Sequence, residues 1–287
     1  MGCGSPAALG VSRIVEIDPT GGPRFGHQQY HEHDFLGDGE VVLTFDDGPN
    51  RVYTQSILDA LDAYCAKATF FMVGRMALAD PAMVKTVARR GHTIATHTFS
   101  HKRQAGLSPG EARAEIELGF SAVQKALGAP VAPFFRFPYL SDPRSSIAYV
   151  QSRNAAIFSI EVDAYDYRTP SALQVVQTVM SQLRTKRKGI ILFHDIQPST
   201  AGAMRMVLGE LKRGGFRIVH MTTKSGYQTL AEFDARVGAE HHHREAVAAA
   251  NPLAKRGGTA APRRRATGPA SDRLAAAAGR GTAEAQA

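Results

Sequence analysis

The sequence predicts an α/β fold, a single closed or nearly closed barrel of parallel strands and helices followed by a disordered tail. Short β-rich runs alternate with helical patterns, and seven such runs fall within about 180 residues. The last part of the chain has almost no large apolar side chains. Strands that alternate with helices are typical of parallel sheets. A doubly wound open sheet is the alternative, and in both folds reactive side chains cluster at the carboxyl ends of the strands.

The elements follow in order along the chain. Residues 1–37 form an irregular segment rich in Gly, Pro and His, and one domain is predicted over residues 38–232. Its predicted strands are residues 41–45, 67–73, 92–96, 132–137, 155–162, 189–194 and 216–221. A helix begins after Ser108, which can cap it, with Pro109 in the first position and Glu111 completing a capping box. Helical spacing predicts another helix from the apolar residues Leu173, Val176, Val179, Met180 and Leu183.

The tail is predicted over residues 233–287. It is rich in Ala, Gly, Pro and Arg, and it buries too little apolar surface to offset its ordering entropy. The net charge of the chain is +8, and residues 241–287 hold eight basic and three acidic residues, so the body is close to neutral. A basic-patch argument therefore concerns the tail alone, where a solvated appendage is the favoured interpretation, and we expect no nucleic acid partner.

Composition and the start of the chain limit the class of protein further. Hydrophobic residues make up 44%, enough for a substantial core, and no apolar run is long enough for a membrane span. Cys3 and Cys65 are interpreted as unrelated thiols, with a disulfide in an oxidising compartment as the alternative. The first residues lack the pattern of a signal peptide. A true start further upstream would make the protein periplasmic or secreted, and otherwise we expect it in the cytoplasm. The sequence does not indicate an oligomeric state.

Polar residues at the ends of the predicted strands indicate chemistry. Asp46 and Asp47 close the first strand, where a turn can bring both carboxylates to one site, one as a metal ligand and one as a base. His97 and His101 follow the third strand at a spacing that places two imidazoles on one face of a helical turn. Two imidazoles and one carboxylate leave an open position for water, as in catalytic zinc sites.

Three more signals follow later strands. Arg136 ends the fourth strand between aromatic residues, and a buried guanidinium needs a carboxylate partner. Residues 163–167 end the fifth strand and His194 ends the sixth. Taken singly, each signal has an ordinary explanation, such as a solvated turn, a chance histidine spacing or an arginine that reaches solvent. Because all of them fall at the ends of different strands, together they indicate an active site.

In order, these groups read TFDDGP (44–49), HTFSH (97–101), RFPY (136–139), DAYDY (163–167) and LFH (192–194). They resemble the five motifs of the polysaccharide deacetylase family, also called carbohydrate esterase family 4 or the NodB-homology domain. The resemblance covers residues 38–225 and implies a distorted (β/α) barrel. It also implies metal-dependent hydrolysis of N-acetyl groups from N-acetylglucosamine-containing glycans, chitin oligosaccharide or peptidoglycan among them, with release of acetate. The implied cofactor is a divalent metal ion, with zinc as the favoured ion.

The resemblance also implies a role for each matching residue. The metal ligands would be Asp47, His97 and His101. Asp46 would be the general base that activates water, and Arg136 would pair with it. His194 would be the general acid that protonates the departing amine, and Asp166 would orient it. The substrate-binding residues would be Tyr139, which would offer its backbone N–H to the oxyanion, Leu192 in the acetyl pocket, and Tyr167.

Some alternatives stay open at this stage. The same site would serve an O-acetyl esterase acting on xylan-like glycans, and a non-catalytic carbohydrate-binding protein could share the fold. Tyr167 stands where the family usually has Trp, and Leu140 stands where Gly is usual, so substrate preference is affected more than activity. A further hypothesis is that four residues of the N-terminal segment line one end of the groove: Pro23, Phe25, His27 and Tyr30.

Overall fold

The computed structural model describes residues 5–239, and these form an α/β fold around a parallel sheet of ten strands. The strands are β1 (Arg13–Glu16), β2 (Arg24–Phe25), β3 (Glu40–Asp46), β4 (Thr69–Met72), β5 (Thr93–Thr96), β6 (Phe134–Phe135), β7 (Ala156–Phe158), β8 (Val162–Asp163), β9 (Gly189–His194) and β10 (Arg217–Thr222). The helices are α1 (Arg51–Ala63), α2 (Gly74–Ala79), α3 (Pro81–Arg89), α4 (Pro109–Leu127), α5 (Arg144–Ser152), α6 (Ala172–Lys186), α7 (Pro198–Arg213) and α8, residues 231–239. Within the described residues, no helix is long and apolar enough to cross a membrane.

The sheet is organised around β3. This strand pairs with β9 along most of its length, with β10 at its start and with β4 near its end. From β4 the sheet continues through β5, β6 and β7 to β2, while β8 pairs with β9. Because β7 leads directly into β8 through residues 159–161, the sheet curves back on itself. This is the predicted distorted barrel, so the prediction of fold class is confirmed.

Alternate residues of the strands face two different cores, as the period of two in a strand requires. Val41, Leu43 and Phe45 of β3 pack in the layer that also contains the buried faces of the helices. Val42 belongs to a second cluster, which takes residues from nearly every strand of the barrel and fills its interior. The barrel is therefore a packed scaffold that fixes the positions of its strand ends.

Both predicted helices form. Ser108 and Glu111 make the expected reciprocal capping box at the start of α4, which ends at Gly128 in the left-handed conformation. The residues at helical spacing between 173 and 183 lie on α6, where all but Leu173 are buried. Local capping and periodicity were sufficient to predict these two elements.

The N-terminal segment is less irregular than predicted. Two short strands lie within residues 1–37, because β1 pairs with β10 and β2 pairs with β7. The predicted strand 155–162 is divided into β7 and β8, since the chain changes partners between them. The Ser159 N–H donates to Phe25 O, whereas the Glu161 N–H donates to Ile190 O.

The folded part extends beyond the predicted boundary at residue 232. Residues 231–239 form α8, and Phe233 and Val237 on its inner face are buried against Leu118 of α4. The predicted boundary was therefore too early. The remainder of the predicted disordered tail, from residue 240 onward, lies outside the described residues. So does Cys3, on which the choice between unrelated thiols and a disulfide with Cys65 depends.

Candidate active site

The predicted site residues meet at the carboxyl ends of the strands, around a cavity of about 660 Å³. Those that line it are Asp46, Asp47, His97, His101, Tyr139, Tyr167, Leu192 and His194. Arg136 and Asp166 are buried behind this wall and contact it through hydrogen bonds. The expectation that these side chains lie together at the carboxyl ends of the strands agrees with the structure.

Asp46, the last residue of β3, is paired with a fully buried arginine. Arg136 Nη1 donates to Asp46 Oδ1 at 2.7 Å and to Thr44 Oγ1 at 2.8 Å. Its other nitrogens donate to the carbonyls of Phe158 and Ser159 at 3.2 and 3.1 Å. Burial raises the pKa of Asp46 above its usual range, and the charge of Arg136 opposes that rise. The predicted carboxylate partner of Arg136 is therefore present, and Oδ2 of Asp46 remains directed to the histidines.

Asp47 begins a tight turn and has a backbone φ of 77°. Its Oδ1 is buried without a hydrogen-bond partner in the described part of the chain. The turn rests on Asp195, because a Cβ on Gly48 would come within 2.1 Å of an Asp195 carboxylate oxygen. Thr54 donates a 2.6 Å hydrogen bond to that carboxylate, and burial raises the pKa of Asp195 to about 7. Only glycine at position 48 permits this close approach.

His97 is buried and held in one tautomer. Its Nδ1 lies 2.8 Å from the carbonyl oxygen of Arg136, which can only accept, so Nδ1 carries the proton and Nε2 presents a lone pair. Burial lowers the pKa of His97 to about 3, which keeps the ring neutral. The Nε2 atom lies 3.6 Å from Asp47 Oδ1 and 3.7 Å from Asp46 Oδ2. A neutral imidazole with its lone pair in the cavity is a suitable metal ligand.

His101 reaches the same place without a helical turn, so that part of the prediction was wrong. Residues 97–101 form a loop in which Thr98 and His101 adopt φ values of 65° and 60°. The loop is fixed by α4. The Glu115 carboxylate accepts from the N–H and the hydroxyl of Ser100 at 2.8 and 2.6 Å. A Cβ on Gly119 would lie 2.7 Å from the Thr98 backbone, so the helix contacts the loop directly.

Asp47, His97 and His101 fit a divalent metal ion. Their donor atoms lie within 4.8 Å of one another, and His101 Nε2 is 3.2 Å from Asp47 Oδ1. Two ligands at zinc bond lengths and a tetrahedral angle are about 3.4 Å apart, which is close to the 3.2 and 3.6 Å found here. The buried Oδ1 of Asp47, which has no other partner among the described residues, is explained by such an ion.

His194, at the end of β9, forms a charged pair with Asp166. Its Nδ1 lies 2.7 Å from Asp166 Oδ1, and its backbone N–H donates to Oδ2 at 2.7 Å. Thr200 also donates to Oδ2, and Ser199 donates to the Asp166 carbonyl at 2.9 Å. Burial lowers the pKa of His194, but the hydrogen bond and charge of Asp166 outweigh it and raise the pKa to about 9. The imidazole is therefore protonated at neutral pH.

The mouth of the cavity is aromatic and basic. Tyr139, Tyr165 and Tyr167 are 57%, 40% and 46% exposed. The Arg103 guanidinium lies 4.5 Å from the ring centre of Tyr139, and Arg168 lies 4.6 Å from that of Tyr165. In residues 5–239 neither arginine has a carboxylate within ion-pair distance. Their positive charge is available to a ligand.

Four lining residues were missed by the sequence analysis: Gln28, Gln29, Arg103 and Arg168. Phe137, Asp163 and Tyr165 also line the cavity and stood in the motifs without an assigned role, and Leu140 was noted there as a residue that affects substrate preference. The hypothesis about the N-terminal segment identified the right segment and the wrong side chains. Phe25 and Tyr30 are buried, and Gln28 and Gln29 are the residues of that segment that line the cavity. Arg168 directly follows residues that were predicted and could have been found by proximity, but no sequence signal marked Gln29.

A parallel α/β barrel whose cavity combines three side chains that could hold a metal ion with a histidine of raised pKa is the arrangement of a metal-dependent hydrolase. A family model described as polysaccharide deacetylase matches residues 36–156. The chain is 32% identical over 193 residues to a peptidoglycan-N-acetylglucosamine deacetylase of Bacillus cereus, covering 66% of this chain and 89% of the relative. It is 28% identical over 199 residues to a chitooligosaccharide deacetylase of Bradyrhizobium sp., covering 64% of this chain and 90% of the relative.

Solved structures agree with these relatives. A peptidoglycan deacetylase of Bdellovibrio bacteriovorus superimposes with a TM-score of 0.68 and 34% sequence identity, covering 76% of this chain and 61% of that chain. The present chain therefore spans somewhat less than two thirds of that protein. The chain belongs to the polysaccharide deacetylase family, and Asp47, His97 and His101 could hold the divalent metal on which the deacetylases of this family depend.

Proposed function

We propose that this protein removes acetyl groups from N-acetylglucosamine units of a polysaccharide or oligosaccharide and releases acetate. The observation that carries the proposal is the meeting of three elements in one cavity: the three metal-binding side chains, the Asp46–Arg136 pair and the Asp166–His194 pair. The names of the peptidoglycan and chitooligosaccharide deacetylases among its relatives support the same class of substrate.

Asp46 is the proposed general base. Arg136 occupies Oδ1, so Oδ2, 3.7 Å from His97 Nε2, is the oxygen that faces the metal-binding side chains and can accept a proton from water there. Burial raises the pKa of Asp46, and the neighbouring guanidinium opposes this rise in favour of the ionised form, which is the form that a base requires. Arg136 thus acts through Asp46 and does not need to contact the substrate.

His194 is the proposed general acid. An amine is a poor leaving group until its nitrogen is protonated, and a histidine with a pKa of about 9 carries the necessary proton at neutral pH. Asp166 holds Nδ1–H, so the second ring nitrogen, Nε2, is the one that donates. The two tasks require a base without its proton and an acid that carries one.

Asp47, His97 and His101 are the proposed ligands of a zinc ion. When bound, zinc would supply Lewis-acid activation of the amide carbonyl and of the attacking water. The backbone N–H of Tyr139 is proposed to stabilise the oxyanion that develops on the carbonyl oxygen. Leu192, 5% exposed at the end of β9, offers an apolar surface for the acetyl methyl group. The exposed tyrosines at the mouth suit the flat apolar faces of sugar rings.

The first test measures acetate release from N-acetylglucosamine oligomers of two to six units with zinc and with chelator. Asp46→Asn removes the base, and Asp59→Asn, at an exposed site on α1, is the matched control. We expect activity in the zinc-loaded wild type and in Asp59→Asn, and none in Asp46→Asn. Calorimetric titration with zinc should show that Asp46→Asn still binds metal, whereas His97→Ala does not.

Peptidoglycan and acetylated xylan are assayed next if the oligomers are not hydrolysed. Activity on acetylated xylan alone would indicate that the protein hydrolyses O-acetyl esters and not N-acetyl amides. A wild type that binds zinc and is inert on all three substrates would refute the catalytic proposal in favour of a carbohydrate-binding role.

A further inference from the structure

The N-terminal segment covers the junction between β7 and β8, two sequential strands that do not pair with each other in the described part of the chain. β2 pairs with β7, and the following turn packs against the chain that joins β7 to β8. A Cβ on Gly26 would lie 2.4 Å from the Ser159 carbonyl carbon, and the Gln28 N–H donates to Ile160 O at 3.0 Å. This turn precedes residues 36–156, which the family model matches.

Gln29 on this turn bridges two parts of the site. Its Oε1 accepts a 2.7 Å hydrogen bond from the Ser159 hydroxyl, and its Nε2 donates at 2.7 Å to the carbonyl oxygen of Leu140. The Ser159 carbonyl in turn accepts from Arg136 at 3.1 Å. Gln29 therefore links the backbone that supports the Asp46–Arg136 pair to the cavity loop that contains Leu140.

That loop, residues 137–142, is held in a strained conformation. Tyr139 and Leu140 have φ values of 59° and 50°, and each such residue other than glycine costs about 1 kcal/mol or more. Such a conformation persists only where the surroundings fix it. Gln29 fixes the Leu140 carbonyl, and the buried Tyr30 hydroxyl donates to Asp142 at 2.6 Å. Two adjacent side chains of the N-terminal segment thus hold Leu140, the second strained residue, and Asp142, two positions further along the loop.

We propose that Gln29 is a positioning residue for oxyanion stabilisation. Its amide N–H holds the Leu140 carbonyl, and through it the Tyr139 backbone, in the orientation that binds the developing charge. This inference rests on the proposed deacetylase function. Loss of one oxyanion donor costs about 100- to 1000-fold in kcat, so a donor that is misdirected but present should cost roughly 10- to 100-fold. KM should change little, because the interaction develops in the transition state.

The test compares Gln29→Glu with Gln28→Glu. Gln29→Glu keeps the size of the side chain and the acceptor for Ser159, but it places an oxygen against the Leu140 carbonyl. Gln28→Glu introduces the same charge on the same cavity at the adjacent position and leaves that hydrogen bond intact, so it measures the effect of charge alone. Kinetics of acetate release are combined with hydrogen–deuterium exchange of residues 137–142, which reports on the loop whether or not a substrate is turned over.

We expect Gln29→Glu to lower kcat at least 10-fold more than Gln28→Glu, at similar KM, and to speed exchange in residues 137–142. Unchanged exchange would overturn the idea that Gln29 holds the loop. Faster exchange with a kcat equal to that of Gln28→Glu would overturn the link to oxyanion stabilisation. A wild type that is inert on every glycan would refute the proposed function and with it the link to the oxyanion. The exchange experiment would then still decide whether Gln29 positions the loop.

Discussion

Replacing Asp166 by asparagine should convert His194 from a mostly protonated side chain at pH 8 into a mostly neutral one. The carboxylate holds the pKa of His194 at about 9 against the opposing effect of burial. Asparagine removes the charge. The asparagine side-chain oxygen must accept the hydrogen bonds from the His194 backbone N–H and the Thr200 hydroxyl. The NH₂ group of the asparagine then faces His194 Nδ1. The ring then keeps its proton on Nε2 in the neutral form, and its pKa should fall to 6.5 or below.

The size of the effect follows from the two pKa values. A pKa of about 9 instead of 6.5 corresponds to roughly 3 kcal/mol in favour of the protonated form. At pH 8 about 90% of His194 is protonated with the higher pKa and about 3% with the lower, so protonation alone predicts about a 30-fold loss. At pH 6 the same arithmetic predicts a loss of about 1.3-fold. A bound divalent ion lowers the pKa of His194 in both the wild type and the variant. The pH range of the effect then moves down, but the difference between the two pKa values remains.

The assay is kcat/KM for acetate release between pH 5.5 and 9.5, as approximate limits that span both pKa values. The alkaline limb should move to lower pH in Asp166→Asn. Thr200→Val, which keeps the charge and removes one hydrogen bond, should move it less. A loss of equal size at pH 6 and pH 8 would refute the assignment of His194 as the proton donor.

The raised pKa of His194 also affects stability, but at low pH, whereas the loss of activity is largest at high pH. The pKa of His194 is raised by folding, so its contribution is complete below about 6.5 and is lost as pH rises through about 9. Asp166→Asn should therefore lower Tm more at pH 6 than at pH 9.5. Thermal unfolding at both values separates this effect from the loss of activity.

Three further variants test other parts of the structure. Arg136→Met should lower the free energy of unfolding by about 3–5 kcal/mol in chemical denaturation, because the buried Asp46 carboxylate loses its partner. It should also move the acid limb of activity to higher pH, since the charge that opposes the raised pKa of Asp46 is gone. Arg103→Gln combined with Arg168→Gln should raise KM for carboxylate-bearing glycans and weaken its salt dependence, and an equal rise for neutral oligomers would contradict a role of charge. Phe233→Ala should lower the free energy of unfolding by about 3 kcal/mol. An unchanged Tm would contradict the packing of α8.

The order of elements and the positions of the predicted site residues could be obtained from the sequence, because both depend on local pattern. Alternation of strand and helix determines a parallel barrel, and a parallel barrel brings its strand ends together. The hydrophobic runs of the sequence predict that Asp46 and His194 each end a strand. In the structure they are the last residues of β3 and β9. Nothing more than strand assignment was needed to expect them in one cavity.

The elements that were missed depend on partners distant in sequence. β2 has two residues and no strand signal of its own, and it exists because β7 offers it a partner. The loop between His97 and His101 has helical spacing in the sequence, but Glu115 and Gly119 of α4 determine its conformation from outside. Gln29 shows no distinguishing pattern at all, and its position is set by hydrogen bonds to residues more than 100 positions away.

The cavity wall concentrates backbone strain on the turns that carry the proposed chemistry. Non-glycine residues with positive φ on these turns are Asp47, Thr98, His101, Tyr139, Leu140 and Tyr165. Each such residue costs of order 1–3 kcal/mol of conformational free energy. The packing of the barrel and the buried polar contacts behind the wall must offset this cost. The supports are specific: Asp195 under Asp47, Glu115 behind His101, and Gln29 beside Leu140. Because strain and function lie on the same turns, a substitution that relaxes one of them should gain stability while it loses activity.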